Sequence, residues 1–312
     1  MDVERPDIAL GGREPAASGL WRDALRELRH KRSAVVGAVM LAVLGALAVF
    51  APLIAPYPTT GEEAVFFDEG IRPREPPCIH VLGCDQEKSQ HLMGIDSNGR
   101  DMFSRWVYGS RISLRVGFTS VVLAVVSGTL IGLIAGFFGG ITDNVLMRIM
   151  DVLLAFPALL LAIAIVTIIG PGLNNAIIAI SVVTIPAYAR IVRSSVLSVR
   201  EMDFVMADRA LGVGNWRLIF HRILPNSLTP LVVQATLGVG TAVLETAALG
   251  FVGLGVQPPL PEWGSMLAAE RAYVFTAPHL VVFPGLAIMW NVLAFNLMGD
   301  GLRDALDPRL NR

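Results

Sequence analysis

Cysteine and histidine carry the most direct chemistry in this 312-residue chain, and four of these residues lie close together. Cys78 and Cys84 have five residues between them, a separation that allows a local disulfide bond of the kind that persists in oxidising compartments. His80 and His91 add two side chains of the metal-binding type. We expect a disulfide between Cys78 and Cys84, with a metal site as the alternative and ordinary loop histidines as the plainer reading of His80 and His91.

Catalytic motifs do not occur in the sequence. The two lysines are Lys31 and Lys88, and neither follows a Gly-x-x-x-x-Gly pattern, so the chain has no Walker-type phosphate loop. His-Glu-x-x-His and Gly-x-Ser-x-Gly are also missing. The net charge of −1 gives no reason to expect nucleic acid as a partner. The sequence therefore predicts a protein that is not an enzyme and that binds no cofactor of its own.

The composition is typical of a membrane protein. Hydrophobic residues make up 54% and charged residues 16% of the chain, whereas a soluble domain has about 25% charged residues. Six apolar stretches have the length and spacing of transmembrane segments. They cover residues 33–55, 116–138, 153–169, 175–188, 231–249 and 280–297. The predicted fold class is all-α, a polytopic membrane bundle of six transmembrane helices in lipid.

Basic residues give the predicted orientation. They cluster before the first span, between the fourth and fifth spans and after the sixth, so both termini are expected in the cytoplasm. Residues 1–32 form a predicted cytoplasmic tail in which Leu20, Trp21, Ala24, Leu25 and Leu28 share one face of a short interfacial helix. Residues 56–112 form a predicted extracytoplasmic segment, and residues 301–312 form a predicted cytoplasmic tail.

Two features within the spans have alternative explanations. Gly128, Gly132, Gly136 and Gly140 recur every fourth residue, a spacing that favours close packing of helix backbones over a role in a pore wall. Glu245 lies near the external end of the fifth span, and an ionisable group at membrane depth is a functional candidate. It either lines a translocation path, where it would bind a cationic cargo, or pairs with a neighbouring helix at the membrane interface.

The segment of about residues 190–228 predicts a projecting pair of short helices. A helix begins at Glu201–Asp203, and Gly212 ends or bends it. A second amphipathic stretch contains Trp216 and Ile223 and is predicted to close at Leu224–Pro225. Such a knob suits the groove of another protein. The candidate docking residues are Asp203, Phe204, Ala207, Arg209, Ala210, Leu211 and Gly212.

These residues resemble the cytoplasmic coupling motif of binding-protein-dependent ABC importer permeases. Met206-Ala207-Asp208, Gly212 and Leu224–Pro225 stand at the motif positions, with Met206 and Asp208 replacing the usual Glu and Ala. Three further segments resemble dipeptide and oligopeptide permeases of the DppC/OppC type. They are residues 91–101 (HLMGIDSNGRD), 245–259 (ETAALGFVGLGVQPP) and 296–309 (NLMGDGLRDALDPR). Residues 80–86 echo the first of these segments.

The resemblance implies the fold of a type I ABC importer permease, with a core domain at residues 113–300. It also implies partners: a second permease subunit of the DppB/OppB type, two ABC ATPase subunits that use ATP and Mg, and an extracytoplasmic solute-binding protein. Short peptides are the expected cargo, with nickel or another small solute as the alternative. A secondary transporter driven by an ion gradient and a non-transporting membrane scaffold are the rival classes.

Overall fold

The computed structural model describes residues 28–59, 72–84 and 89–306 of the chain. Within these residues the regular structure is helical, and extended pairing is limited to two isolated bridges, Cys78 with His91 and Ile95 with Asp101. The predicted all-α fold is confirmed. The predicted interfacial helix at residues 20–28 lies almost wholly outside the described residues, as do residues 307–312 of the predicted tail.

The described residues form eleven α-helices, and the longest connection between them is residues 55–101. They are α1 (Arg32–Val49), α2 (Ala51–Ile54), α3 (Met102–Phe138), α4 (Gly140–Leu154), α5 (Ala158–Ile169), α6 (Leu173–Arg200), α7 (Asp203–Ala210), α8 (Asn215–Leu218), α9 (Leu224–Phe251), α10 (Trp263–Glu270) and α11 (His279–Leu306). Short 3₁₀ turns cover His80–Leu82 and Arg271–Tyr273, and a π turn covers Ile219–Ile223.

Among the described residues, five helices are long and apolar enough to cross a membrane, and a sixth span results if the bent pair α4–α5 is counted as one. That pair bends by 91°. The third predicted span, at 153–169, runs across this bend: its first two residues belong to α4 and residues 158–169 form α5. Pro157 lacks a backbone N–H and disfavours the helical conformation of the preceding residue, Phe156, so the α4 helix cannot continue into α5.

The fourth span was predicted too short. It ends at 188 in the prediction because Arg190 and Arg193 follow, yet α6 continues through both to Arg200. Arg193 donates to Asp143 of α4 through Nη2 at 2.6 Å, and Arg190 donates to Asp151 of α4 at 2.6 Å. Paired charges do not end a helix, and these pairs fasten α4 against α6.

The fifth span was predicted to start after a break at Leu224–Pro225, and this prediction was wrong. Pro225 instead lies in the first turn of α9, directly after the π turn Ile219–Ile223, and the helix continues through it. Through the π turn, α8 and α9 form one continuous helical run from Asn215 to Phe251. The sixth and second spans are likewise longer than predicted, because α11 reaches Leu306 and α3 begins at Met102.

The glycine stripe of α3 packs against α6. A Cβ at Gly128 would lie 2.7 Å from Tyr188 Cβ, and one at Gly132 would lie 2.9 Å from Val192 Cβ. At Gly136 the corresponding distance to Val196 Cβ is 2.9 Å. The predicted packing role is confirmed for these three glycines. It was wrong for Gly140, which has a φ of +58° at the start of α4 and nothing near its Cβ position.

Gly132→Ala should destabilise the protein, because the new Cβ overlaps the α6 backbone at Ala189 as well as Val192. We expect the free energy of unfolding to fall by about 2 kcal/mol. Unfolding in detergent with increasing denaturant would measure this change. Gly45→Ala in α1 is the matched control, since a Cβ there meets nothing within 4 Å. Equal stability of both variants would contradict the packing role.

Candidate functional site

Residues 201–223, called the 201–223 loop below, connect α6 to α9 and contain the short helices α7 and α8. The predicted corner is present: α7 ends at Ala210, and Gly212 adopts a φ of +78°, in the left-handed region that favours glycine. The backbone N–H of Val213 donates to Asp208 O at 3.0 Å, which closes the turn. The predicted second closure at Leu224–Pro225 is replaced by the helical continuation into α9.

The 201–223 loop buries one side and exposes another. Val205, Leu218 and Ile223 are fully buried and anchor the loop to the bundle. On the other side Leu211 is 82% exposed and Trp216 is 74% exposed, and Trp216 stacks on Phe220 with ring centroids 5.7 Å apart. The exposed large apolar residues of this patch are Phe204, Met206, Leu211, Trp216 and Phe220. Exposed apolar side chains of this kind are typical of a surface that contacts another protein or the membrane.

Two arginines, one at the end of α6 and one in the 201–223 loop, contact the end of α3. Arg200, at the end of α6, donates to the carbonyl oxygens of Gly136 and Phe137 at 3.1 and 3.3 Å, where α3 ends. A cation at a helix C-terminus is favourable because the last carbonyls have no partner within the helix. Arg209 places its guanidinium 5.6 Å from the centroid of the Phe137 ring. Asp208 accepts from Arg222 at 2.7 Å, so the loop is also braced internally.

The segment of residues 72–84 and 89–101, called the 72–101 segment, lies before α3. Cys78 and Cys84 form a disulfide that closes the turn His80–Leu82. The two sulfurs are therefore not free thiolates for a metal. In the part of the chain that the structure describes, no group of three His, Cys, Asp or Glu side chains is placed to hold a metal ion.

The motif at residues 91–101 builds a rigid turn. Asp96 accepts from the backbone N–H groups of Asn98 and Arg100 at 2.9 and 2.8 Å, and from Arg100 Nε at 2.8 Å. Asp101 accepts from the Ser104 N–H at 2.7 Å and so caps the start of α3. His91 Nδ1 lies 2.8 Å from the other Asp101 oxygen. The polar residues of this motif thus hold backbone geometry and do not form a reactive site.

The same turn is bonded to α10. Glu270, which is 2% exposed, accepts from the backbone N–H and the hydroxyl of Ser97 at 3.0 and 2.7 Å. Arg105 donates to the Pro259 carbonyl, which precedes α10. Glu270 was not predicted from the sequence. No local pattern marks it, because its partner Ser97 lies 173 positions earlier in the chain.

Glu262 is a second buried carboxylate that the sequence did not reveal. It is fully buried and caps α10 by accepting from the N–H groups of Gly264 and Ser265, each at 2.8 Å. The Ser113 hydroxyl lies 3.4 Å from its Oε1. Burial raises the pKa of Glu262 above its usual value, because the charged form loses its hydration, although the hydrogen bonds oppose this effect.

Glu245, the predicted path residue, lies in α9 and is half-buried. Its Oε2 atom is buried and has no hydrogen-bond partner in the described residues. The structure does not bring Glu245 together with the 201–223 loop, from which it is separated along α9, or with the 72–101 segment.

Comparisons with known proteins agree with this architecture. A family model described as "Binding-protein-dependent transport system inner membrane component" matches residues 128–312. A second, the "N-terminal TM domain of oligopeptide transport permease C", matches residues 19–77. The chain therefore belongs to the binding-protein-dependent permease family of ABC importers, and it is a multi-pass inner-membrane protein.

Individual relatives indicate the subfamily of permeases to which the chain is similar. The dipeptide transport system permease protein DppC of Alkalihalophilus pseudofirmus is 49% identical over 292 residues, which cover 93% of this chain and 90% of that protein. The glutathione transport system permease protein GsiD of Pectobacterium atrosepticum is 42% identical over 290 residues, 93% of this chain and 91% of that protein. The chain is thus an ABC transporter permease of the peptide type.

Solved structures support the fold. A chain of the MetNI methionine ABC transporter in an inward-facing conformation superposes with a TM-score of 0.54 at 24% identity, covering 66% of this chain and 98% of that chain. The expected type I importer permease fold is confirmed.

Glu262 should make stability depend on pH. Because its pKa is raised in the folded state, the folded protein holds this proton more tightly than the unfolded chain does. The stability from this group is complete below the ordinary Glu pKa of about 4.3 and is lost as the pH rises through the raised value. Melting temperatures of wild type and Glu262→Gln in detergent, from about pH 4 to 8, would measure the effect. Wild type should fall relative to the variant, and a difference independent of pH would contradict the prediction.

Proposed function

We propose that this chain is one of two permease subunits of an ATP-driven importer of short peptides. A solute-binding protein delivers the peptide on the extracytoplasmic side, and two ATPase subunits hydrolyse ATP with Mg on the cytoplasmic side. The observation that carries the proposal is the exposed apolar patch on the 201–223 loop, in a chain related to permeases named for dipeptides and glutathione. The permease itself performs no covalent chemistry. Both of its termini lie in the cytoplasm, and residues 113–300 form the core domain.

The patch is the contact with an ATPase subunit in this proposal. Trp216 and Phe220 present a stacked aromatic pair, and aromatic side chains buried at the centre of an interface provide most of its binding energy. The predicted docking residues Asp203, Phe204, Ala207, Arg209, Ala210, Leu211 and Gly212 form the helix and corner beside this pair. Arg209 acts internally through Phe137, so it braces the loop on α3.

Movement passes from the 201–223 loop into the bundle along α9. The helical run from Asn215 to Phe251 has no interruption, and at 1.5 Å per residue it is about 55 Å long. A displacement of Trp216 by an ATPase therefore moves the far end of the same helix. A rigid element with two packed positions is the usual basis of alternating access, and nucleotide selects between the positions.

Gly212→Val should uncouple ATP hydrolysis from transport. A β-branched residue at a φ of +78° costs about 1–3 kcal/mol and distorts the corner. We expect the ATPase subunits still to co-purify, while peptide uptake per ATP hydrolysed falls in proteoliposomes. Gly214→Ala is the matched control, because Gly214 has a φ of −65° and an unobstructed Cβ position. Unchanged uptake per ATP hydrolysed in Gly212→Val would contradict the proposed role of the turn at Gly212.

The driving force can be tested directly with the assembled complex. Peptide uptake into proteoliposomes should require ATP and the loaded binding protein, and it should survive ionophores that collapse ion gradients. Uptake that is lost with ionophores and independent of ATP would instead establish the gradient-driven class. If peptide stimulated neither ATP hydrolysis nor uptake, the result would favour the non-transporting membrane scaffold.

A further inference from the structure

Within the described residues the carboxylate of Glu245 forms no ion pair with a basic side chain. No other charged residue occurs between Arg222 and Glu262. The Oε2 atom of Glu245 is buried, and no donor in the described residues reaches it. An ionisable side chain in a membrane span faces a water-filled path or a partner, because exposure to lipid is too costly. An ionised Glu245 therefore takes its balancing cation from outside the described part of this chain.

Glu245 is one member of a polar stripe along α9. Gln234, Gly238, Thr241 and Glu245 follow one another at spacings of four, three and four residues, so they lie on one helical face. Thr241 is exposed and the other three are half-buried. The opposite side of α9 packs into the bundle, where a Cβ at Gly240 would lie 3.2 Å from Phe295 Cβ. The polar stripe thus lies at the edge of the packed surface of α9: Thr241 is exposed, whereas Gly238 contacts Tyr188 of α6.

A tyrosine from α6 reaches this polar stripe. The Tyr188 hydroxyl lies directly against Gly238, in the space that a Cβ at this position would fill. The tyrosine is held from the other side by Gly128 of α3, whose Cβ position is 2.7 Å from Tyr188 Cβ. Gly238 therefore serves to bring a phenol hydroxyl to the polar stripe, between Gln234 and Glu245 along α9.

Two separate cavities border α9, one at Gln234 and one beyond Glu245. Gln234 lines a cavity of about 510 Å³ that Ile191 of α6 and Arg303 of α11 also border. At the other end a cavity of about 670 Å³ is lined by Gly250, Val252 and Arg271. Val252 lies seven residues after Glu245, so it continues the same helical face. Polar side chains on one face between two open cavities are the arrangement expected of a solute path.

We propose that the polar stripe lines the translocation path and that the Glu245 carboxylate binds the terminal ammonium group of the passing peptide. This inference rests on the proposed function. Dipeptides, tripeptides and glutathione differ in length and side chains, yet each carries an α-ammonium group. A carboxylate accepts charge-assisted hydrogen bonds from an ammonium. Its negative charge also compensates for the hydration that the ammonium loses when it leaves water. Thr241 and the Tyr188 hydroxyl offer neutral hydrogen bonds beside it.

Transport kinetics test the role of the charge. The assembled importer in proteoliposomes would be given radiolabelled dipeptide with saturating binding protein. Glu245→Gln should lower the uptake rate about tenfold, since one charge-assisted contact is lost. Glu245→Asp should retain most of the uptake, because the charge remains. Asp300→Asn is the matched control, since it makes the same chemical change at an exposed carboxylate of α11 and should transport normally.

Chemical protection tests the ligand itself. Dicyclohexylcarbodiimide modifies carboxyl groups in membrane spans, and mass spectrometry would quantify its adduct at Glu245 in the detergent-solubilised complex. Free dipeptide should protect Glu245, whereas the N-acetylated dipeptide at the same concentration should not. Equal protection by both peptides, protection by neither, or no labelling without peptide would each overturn the proposal.

The outcomes separate this inference from the proposed function. If wild type shows no ATP-dependent uptake, the importer proposal itself fails. If wild type and Glu245→Gln transport equally well, only the ammonium site fails. If Glu245→Gln loses its partner permease during purification while Glu245→Asp retains it, the carboxylate pairs with the other subunit, and the ammonium site is again overturned.

Discussion

The close approach of α3 and α6 is the contact on which the rest of the molecule depends. Three glycines remove the side chains that would keep the helices apart, so Tyr188, Val192 and Val196 lie directly on the α3 backbone. Between membrane helices such van der Waals contact replaces the hydrophobic effect as the source of association. It also sets the position of the C-terminal part of α6, which is fastened to α4 by the ion pairs of Arg190 and Arg193 and leads into the 201–223 loop.

The polar side chains discussed above mainly form hydrogen bonds to backbone N–H and C=O groups. Asp96, Asp101 and Glu262 each accept backbone N–H groups and thereby fix a turn or a helix start. Arg200 does the same for the carbonyl end of α3. A membrane protein has few charges, and these are used where irregular backbone must be held without water. Glu245 is different, because no donor in the described residues bonds its buried Oε2 atom, and it is therefore the carboxylate that we assign to the cargo.

Several features could be read from the sequence because they depend on local order along the chain. Residues 201–223 have a helix start at Asp203 and a glycine at 212, and the structure has a helix and a positive φ at these positions. Apolar length was sufficient to place the long apolar helices, although not their ends and not the bend between α4 and α5. The ends were wrong where charges are neutralised by distant residues, as Arg193 is by Asp143, and where a proline lies in a helix start, as Pro225 does.

The sequence alone determined the class of protein, its helical membrane-spanning character and the helix and glycine turn after α6, because apolar runs, glycine spacing and ordered motifs are local properties. Only the tertiary structure decided which polar residues have partners. Ser97 and Glu270 meet although they are far apart in the chain, and Tyr188 reaches Gly238 from another helix. The unmatched state of the Glu245 carboxylate is likewise visible only when its neighbours are known, since packing brings together residues that no sequence spacing relates.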